Sequence, residues 1–281
     1  MAYINNLGQV RIGVRGWVAA QSGASASVTD SDATAFVTAA GITDSTQISA
    51  LNTLVTDLKT YGLWTKMKAL YPFVGGSAAS HKFNLKDPRD LDAAFRLAFN
   101  GGGTHNNYGY VGNSTNGYAN TFVIPSTNLS TTSIHISYYS QTDTVGVNKT
   151  EIGSGASNRV PVQLYVRYSA TTGIGYLFQP SAGSFTVSTG KRYTIVSRTT
   201  NTSVLVMNNN SSTTLSQTVS GMAPTNSPLY INATSANNTP SSGSYSDKTS
   251  SFVTIGDGLT EVECSNLYIS VQKFQTTLFW D

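Results

Sequence analysis

Hydrophobic residues follow a helical spacing between residues 29 and 62 and an alternating spacing over much of the chain beyond. Residues three and four positions apart form one apolar stripe, namely Ile48, Leu51, Leu54, Val55, Leu58 and Tyr61. This stripe predicts an amphipathic helix that Asp44 caps and Gly62 ends. A shorter helix is predicted from about Asp32 to Ala40. Because two such short helices are only marginally stable in isolation, we expect this αα-hairpin to pack on another surface of the protein.

The alternating spacing begins at Leu63 and continues to Phe73, which predicts a strand. Asp87 and Pro88 predict a short turn of helix that extends to about Ala94. Beyond it, short runs suited to strands alternate with turns rich in Gly, Asn, Ser and Thr. The clearest runs are 121–124, 133–139, 160–168, 174–179, 192–197, 203–208, 229–233, 252–255 and 266–271. The polar stretch 235–249 predicts a loop.

Many short strands without an intervening helical pattern predict a mainly β fold, a jelly-roll sandwich over residues 63–281. An extended N-terminal arm over residues 1–28 and the αα-hairpin over residues 29–62 precede the sandwich. Residues 10–14 of the arm alternate as an extended segment does, and residues 23–27 form a small-residue linker. The arm is suited both to pair with a neighbouring subunit and to form the first strand of its own domain.

The composition favours a folded protein and disfavours a nucleic-acid partner. Only 11% of the 281 residues are charged and the net charge is +3, whereas 39% are hydrophobic and 10% aromatic. Disordered chains have few aromatic residues and a high net charge, so this composition predicts a packed core. The 17 Lys and Arg residues are scattered singly, and those between Lys66 and Arg96 alternate with Asp87, Asp90 and Asp92. We therefore expect intramolecular ion pairs rather than a basic stripe.

Cysteine use and the distribution of apolar residues bear on where the protein acts. Cys264 is the single cysteine, so no intrachain disulfide is possible, and we expect it to be a small buried hydrophobe in a strand. The polar N-terminus lacks the apolar centre of a signal peptide, and no apolar stretch reaches the ~20 residues of a membrane helix. These features predict synthesis in the cytoplasm without a signal peptide and no membrane insertion.

Several segments resemble a known family. They are LWTKMKALYPFVGG at 63–76, NLKDPRDLDAAFRL at 84–97, GYANT at 117–121, HISYYS at 135–140 and VQKFQTTL at 271–278. Together they resemble a group of structural proteins of tailed bacteriophages whose C-terminal part is a concanavalin A-like, laminin-G-like sandwich. The resemblance covers about residues 43 to 281. It implies a non-enzymatic virion component, a fibre, spike or decoration subunit on the head or tail.

The same resemblance implies partners. Other virion proteins would bind the N-terminal arm, which lies outside the resembling region, and the subunit would form a homo-oligomer, a trimer if it is a fibre. A sandwich displayed on a particle would also be suited to bind a host surface glycan. The resemblance brings no catalytic motif, so no cofactor is expected.

Candidate binding residues lie in a glycine-rich loop at residues 101–110. His105, Asn106, Asn107, Tyr108 and Tyr110 combine aromatic rings with amides. Sugar sites need flat apolar faces together with fixed polar groups, so a tyrosine would stack on a pyranose and an asparagine would bind its hydroxyls. An ordinary surface loop is the alternative interpretation. Of the other histidines, His135 lies among isoleucines in a predicted strand, which indicates a packed, hydrogen-bonded residue. None of the three histidines, including His81, has a second ligand at metal-binding spacing.

A glycan-degrading enzyme is the third hypothesis, after a virion structural protein and a carbohydrate-binding adhesion module. Glycoside hydrolases need two carboxylates that face one another. Glu261 and Glu263 would lie on the same face of a predicted strand, and they are the one pair with this pattern. A solvated strand edge is the favoured interpretation of this pair. We therefore assign no catalytic residue and no metal ligand.

Overall fold

The computed structural model describes residues 2–4, 10–12 and 29–279. Most of the predicted arm, including its linker at 23–27, lies outside the described residues. The helices are α1 (Ser31–Ala40), α2 (Ser45–Thr60), α3 (Ala78–His81), α4 (Pro125–Asn128) and α5 (Glu261–Leu278), with 3-10 turns at Trp64–Lys66 and Asp92–Ala94. All other elements are strands. Among the described residues no helix is long and apolar enough to span a membrane.

The strands are short, and all but the first two follow one another between residues 67 and 256. In chain order they are β1 (Ala2–Ile4), β2 (Val10–Ile12), β3 (Met67–Tyr71), β4 (Ala98–Asn100), β5 (Thr104–Asn106), β6 (Gly109–Val111), β7 (Tyr118–Asn120), β8 (Ile134–Ser140), β9 (Ile152–Gly155), β10 (Val162–Tyr165), β11 (Thr172–Leu177), β12 (Gly183–Thr186), β13 (Arg192–Arg198), β14 (Ser203–Asn208), β15 (Ser211–Ser216), β16 (Tyr230–Ile231), β17 (Thr234–Ala236), β18 (Thr239–Pro240) and β19 (Thr249–Gly256). The predicted mainly β fold is confirmed.

Two large sheets form the sandwich. The nine-stranded sheet has the order β12-β11-β10-β9-β16-β7-β4, with the β17–β18 hairpin joined to β9. The eight-stranded sheet has the order β15-β14-β13-β8-β19-β6-β5, with β3 paired to β19. All pairings are antiparallel except that of β17 with β9. Strands β1 and β2 pair with each other, Ala2 opposite Ile12.

The eight-stranded sheet separates two hydrophobic cores. The first core lies between the sheets and includes Ile136, Val196 and Val253. The second core lies between the other face of the eight-stranded sheet and the helices, and it includes Tyr193 and Phe252. Because both faces are covered, every residue of β13 and β19 is buried. The described chain therefore has three layers: helices, eight-stranded sheet and nine-stranded sheet.

The predicted helical hairpin is confirmed, together with its caps. Asp44 accepts a hydrogen bond from the backbone N–H of Gln47 at 2.8 Å, and Gly41 ends α1 in the left-handed conformation. The hairpin also has the packing surface that its short helices require. The buried residues of α2 join the second core beside the C-terminal helix α5. Lys273 of α5 forms an ion pair with Asp57 of α2, 2.9 Å apart.

Helix α5 corrects the strand predicted at 266–271. Thr260 and Glu263 form a reciprocal capping box, and Cys264, Leu267, Val271 and Phe274 are buried on one face. These residues are three and four positions apart, which is the helical spacing. A six-residue window was too short to reveal that period. The expected burial of the Cys264 thiol is confirmed, although on a helix.

Other predicted elements differ in detail from the structure. The predicted strand at 63–73 begins only at Met67, after a 3-10 turn. No strand forms at 121–124, because Phe122 adopts a φ of 58° and donates its backbone N–H to the Asn120 side chain. Residues 229–233 contain only the two-residue β16, because Asn232 also has a positive φ. The helix predicted after Pro88 is reduced to the 3-10 turn at Asp92–Ala94, and the loop predicted at 235–249 includes part of the β17–β18 hairpin.

Candidate functional site

The glycine-rich loop of the sequence forms a β-hairpin at one edge of the eight-stranded sheet. Strands β5 and β6 pair with Thr104 opposite Val111, and Asn107 and Tyr108 form the turn between them. The Asn106 side chain accepts the Tyr108 backbone N–H at 2.8 Å, which stabilises the turn. Gly76 lies against the tip, where an added Cβ would come within 2.5 Å of the Asn107 side-chain oxygen. The hairpin tip therefore packs closely against the loop at Gly76.

The five candidate residues divide between the inner face of this hairpin and its exposed tip. Tyr110 is fully buried, so its ring offers no face to a ligand. His105 is partly buried, with its ring 4.4 Å from that of Phe99 and 5.1 Å from that of Tyr110. Asn106, Asn107 and Tyr108 are exposed, and half of the Tyr108 surface is open to solvent. Of the two candidate tyrosines, only Tyr108 is therefore placed to stack on a sugar.

Tyr108 and Asn107 line a pocket of about 370 Å³. The other lining residues come from the start of α2, the loop after β3 and the end of α5; they are Asp44, Thr46, Gln47, Val74, Leu278 and Phe279. We call this site the rim pocket. The Phe279 ring lies 5.1 Å from the Tyr108 ring at an angle of 34°, so the two rings form one apolar wall. Sequence reasoning missed the contributions of α2 and α5, because they are far from residue 108 in the chain.

The polar groups of the rim pocket are held in place by the structure around them. Gln47 accepts the backbone N–H of Gly75 at 3.0 Å. One oxygen of Asp44 caps α2, which leaves its second oxygen available to accept a hydrogen bond from a ligand. The Asn107 amide and the Thr46 hydroxyl add further donors and acceptors. The pocket thus combines an apolar aromatic wall with fixed polar groups.

The three histidines do not form a metal site. The Nδ1 atoms of His81 and His105 are 2.9 Å apart, and the His81 Nε2 is buried without a hydrogen-bond partner. Burial, with a smaller contribution from His105, lowers the pKa of His81 to about 3. Among the described residues no three side chains of His, Cys, Asp or Glu converge in a way that could hold a metal ion. His81 and His105 therefore form a pair in which His81 is buried and His105 partly exposed, and burial lowers the pKa of both.

His135 is the packed, hydrogen-bonded residue that the sequence predicted. Its Nδ1 donates to the Asp257 carbonyl at 2.6 Å, so its Nε2 accepts from the Thr254 hydroxyl at 2.9 Å. Ser137 continues this buried network between Thr254 and Tyr193. Burial lowers the pKa of His135 to about 4.

Glu261 and Glu263 lie in the first turn of α5 rather than on a strand. Glu263 accepts the Thr260 backbone N–H at 2.8 Å and forms an ion pair with Lys66 at 2.5 Å. Glu261 accepts the Ser212 hydroxyl. Because each carboxylate serves a structural contact at the helix start, the two do not form a facing pair across a cleft.

The predicted intramolecular ion pairs are confirmed. Asp90 binds both Lys82 and Arg96, Asp92 also binds Arg96, and Asp87 binds Arg89. The pKa of Asp90 lies below its usual value, chiefly because of the hydrogen bond from Lys82. The basic residues of this region are therefore largely neutralised within the chain.

Comparisons with known proteins identify similar folds. No family model and no curated protein matches the sequence. One similar structure is domain 4 of AbnA, a GH43 extracellular arabinanase from Geobacillus stearothermophilus, in complex with arabinotriose; identity is 13%, the TM-score is 0.45, and the match covers 72% of this chain and 98% of that domain. A second is Trypanosoma rangeli sialidase, at 10% identity and a TM-score of 0.48, covering 81% of this chain and 40% of the sialidase.

A third is the binding domain of botulinum neurotoxin serotype D, at 8% identity and a TM-score of 0.44, covering 73% of this chain and 52% of that domain. The chain thus spans about two fifths to one half of the sialidase and toxin structures. What this chain has in common with the three structures is a β-sandwich architecture.

Proposed function

We propose that this protein binds carbohydrate and that the rim pocket is its site. The observation that supports the proposal is the half-exposed Tyr108 ring, which extends the Phe279 ring beside the polar groups of Asp44, Asn107 and Thr46. A pyranose has one apolar face of C–H groups and a rim of hydroxyls. The aromatic wall is suited to that face, and a carboxylate and an amide are suited to neighbouring hydroxyls.

Replacement of Tyr108 by Ala is expected to weaken glycan binding about tenfold, because a lost stacking contact worth about 1.4 kcal/mol changes the dissociation constant by that factor. The parent protein is first applied to an array of neutral and acidic bacterial surface glycans. The affinity of Tyr108→Ala for the array ligand is then measured by calorimetry. Tyr61→Ala is the matched control, since Tyr61 is an exposed tyrosine at the opposite end of α2. No glycan bound by the parent, or equal affinities for parent and Tyr108→Ala, would contradict the proposal.

We further propose that the chain is a non-enzymatic structural subunit of a tailed-phage particle. The sequence resemblance supports this role, and its segments contribute to both hydrophobic cores. Five residues of the resembling segments lie in the second core, namely Leu63, Trp64, Met67, Leu85 and Phe274. These residues join the helices to the sandwich, and Val74 and Leu278 of the same segments also line the rim pocket. In this role residues 1–28 would attach the subunit to other virion proteins, and the rim pocket would contact a host surface glycan.

A particle subunit is expected to self-associate, so the purified chain should form a homo-oligomer, a trimer if it belongs to a fibre. Size-exclusion chromatography with light scattering measures its mass against the 29.8 kDa of one chain. A truncated chain that lacks residues 1–28 separates the contribution of the arm from that of the sandwich. A monomeric parent at micromolar concentration would contradict self-association, and release of sugar from a bound glycan would contradict the non-enzymatic role.

A further inference from the structure

One face of the nine-stranded sheet packs on the first core, and the other carries partly exposed side chains. In β10 and β11 buried and partly exposed side chains alternate. Leu164 and Leu177 are buried, and the partly exposed residues are Gln163, Tyr165 and Tyr176. Gln163 is opposite Tyr176 across the two strands, so both lie on this outer face. The described helices α1, α2 and α5 pack on the far side of the sandwich, in the second core. The outer face is thus the side of the sandwich away from those helices.

A groove of about 430 Å³ runs over this face. Gln163 and Tyr165 of β10 and Thr234 of β17 contribute to its lining, and the loops at 147–149 and 241–244 form its sides. Gly153 of β9 makes room beside Thr234, because an added Cβ would come within 2.6 Å of the Thr234 hydroxyl. The groove is therefore built from segments that are up to 97 residues apart in the chain, from Val147 to Ser244.

Hydrogen bonds and ring contacts hold the sides and floor of the groove in place. The Tyr165 ring lies edge-on to those of Tyr168 and Tyr176, with centroids 5.8 and 6.5 Å away. Thr234 accepts the Gln163 amide N–H at 3.3 Å and donates to Thr150 at 2.8 Å. On the far side, Ser244 accepts the Thr234 backbone N–H at 3.0 Å. A ligand would thus meet groups that are already ordered, which lowers the entropic cost of binding.

The charge of the groove indicates which ligand it fits. Its lining contains an aromatic ring, two amides and several hydroxyls but no carboxylate. Lys149 is the one cation in the lining, and its ammonium donates to the Ser114 carbonyl at 3.3 Å. An uncharged ligand that is rich in hydroxyls and has an apolar face matches this surface. A basic ligand would find no acidic partner in the lining, and an acidic one would have to compete for a single engaged ammonium.

We propose that this groove is a second carbohydrate site, separate from the rim pocket, that takes an uncharged sugar unit stacked on Tyr165. Gln163 and Thr234 would bind its hydroxyls. The inference shares the class of ligand with the proposed function, but it depends on neither Tyr108 nor the arm.

The test uses the full-length protein and a panel of neutral oligosaccharides, with sialylated and uronic acid oligosaccharides as the acidic arm. Tyr165→Ala is expected to weaken binding of the best neutral ligand about tenfold, whereas Tyr165→Phe keeps the ring and should stay within about threefold of the parent. Ile174→Ala is the control. Ile174 lies opposite Tyr165 on the same face of the sheet but does not line the groove, so this variant should bind the sugar as the parent does. Thermal unfolding of each variant checks that the sandwich is intact.

The variants separate this inference from the proposed function. If Tyr165→Ala loses neutral-sugar binding and Tyr108→Ala retains it, the groove is the main binding site and the rim pocket is not. The reverse pattern overturns the groove and leaves the rim pocket. Partial loss of sugar binding in each of the two variants supports two binding sites. If the parent binds no sugar of the panel, both proposed sites are overturned. A preference of the parent for acidic sugars also overturns the proposed groove site. So does a Tyr165→Ala variant that changes its oligomeric state without any effect on sugar binding.

Discussion

Replacement of Lys248 by Met is expected to lower the free energy of unfolding by about 3–5 kcal/mol. The Lys248 and Glu151 side chains are both almost completely buried, and the Lys248 Nζ lies 3.4 Å from a Glu151 oxygen. The contact is an ion pair without hydrogen-bond geometry, since Nζ has no hydrogen-bond partner. Methionine would leave the Glu151 carboxylate buried without its compensating charge.

Glu151 has other partners that keep it in place after the substitution. It accepts the Val166 backbone N–H at 2.7 Å and the Ser246 hydroxyl at 2.9 Å. Burial raises the pKa of Glu151, and the charge of Lys248 opposes this rise. Loss of Lys248 removes that opposing charge, so the carboxylate either stays charged at a desolvation cost or takes up a proton. Either outcome destabilises the folded state at neutral pH.

A double variant distinguishes loss of charge balance from loss of packing. Glu151→Gln with Lys248→Met removes both charges while it keeps similar volumes, so it should recover most of the lost stability. Lys273→Met is the surface control, because the Lys273–Asp57 pair is partly exposed and should contribute at most about 1 kcal/mol. Urea unfolding followed by circular dichroism measures all three variants. A Lys248→Met protein within 1 kcal/mol of the parent would show that the buried pair does not stabilise the fold.

Acidification is expected to destabilise the protein by about 3 kcal/mol through His135 alone when the pH falls from above 6.5 to 4. The ordinary pKa of histidine is about 6.5 in an unfolded chain. Burial lowers the pKa of His135 to about 4 in the folded state, so between these values the unfolded chain binds the proton and the folded chain does not. The contribution is complete above pH 6.5 and is lost as the pH falls toward 4.

His81 acts in the same direction, because burial and the neighbouring His105 lower its pKa to about 3. Carboxylates with lowered pKa values, such as Asp90, add to the loss at the acidic end of this range. His135→Gln isolates the contribution of one histidine, since glutamine can form hydrogen bonds but does not titrate. Its stability should depend less on pH between 6.5 and 4 than that of the parent, even if it is lower at pH 7. Equal slopes for the two proteins would refute this assignment.

The candidate site was only partly predictable from the sequence. The combination of rings and amides at 105–110 pointed to the edge hairpin, but Tyr110 lies on a strand with its ring in the core, whereas Tyr108 lies in the turn and is exposed. No local sequence pattern predicts that Phe279 lines the rim pocket. None predicts that Thr234 lines the groove on the nine-stranded sheet. Both sites join segments that only the folded chain brings together.

The spacing of apolar residues and the helix-capping residues by themselves determined the helical hairpin and several strands of this protein. The apolar stripe of α2 and the stop at Gly41 are local, because residues three and four apart share one face of a helix whatever surrounds it. The strand at Ser203–Asn208 has the bounds that the sequence predicts, because its run of four apolar residues is bounded by a serine and an asparagine. The low charge and the abundance of turn residues also predicted a β-sandwich.

The tertiary structure alone decided which faces are covered. Strand β13 is buried on both sides by distant layers, so polar residues such as Arg198 lie inside, where its guanidinium donates to the carbonyls of Leu177 and Gln217. Burial lowers the pKa of Arg198 to about 10. The burial of Lys248 depends likewise on Glu151, nearly a hundred residues away in the chain. Burial, charge pairing and the shape of a pocket result from contacts between remote segments, which local periodicity cannot encode.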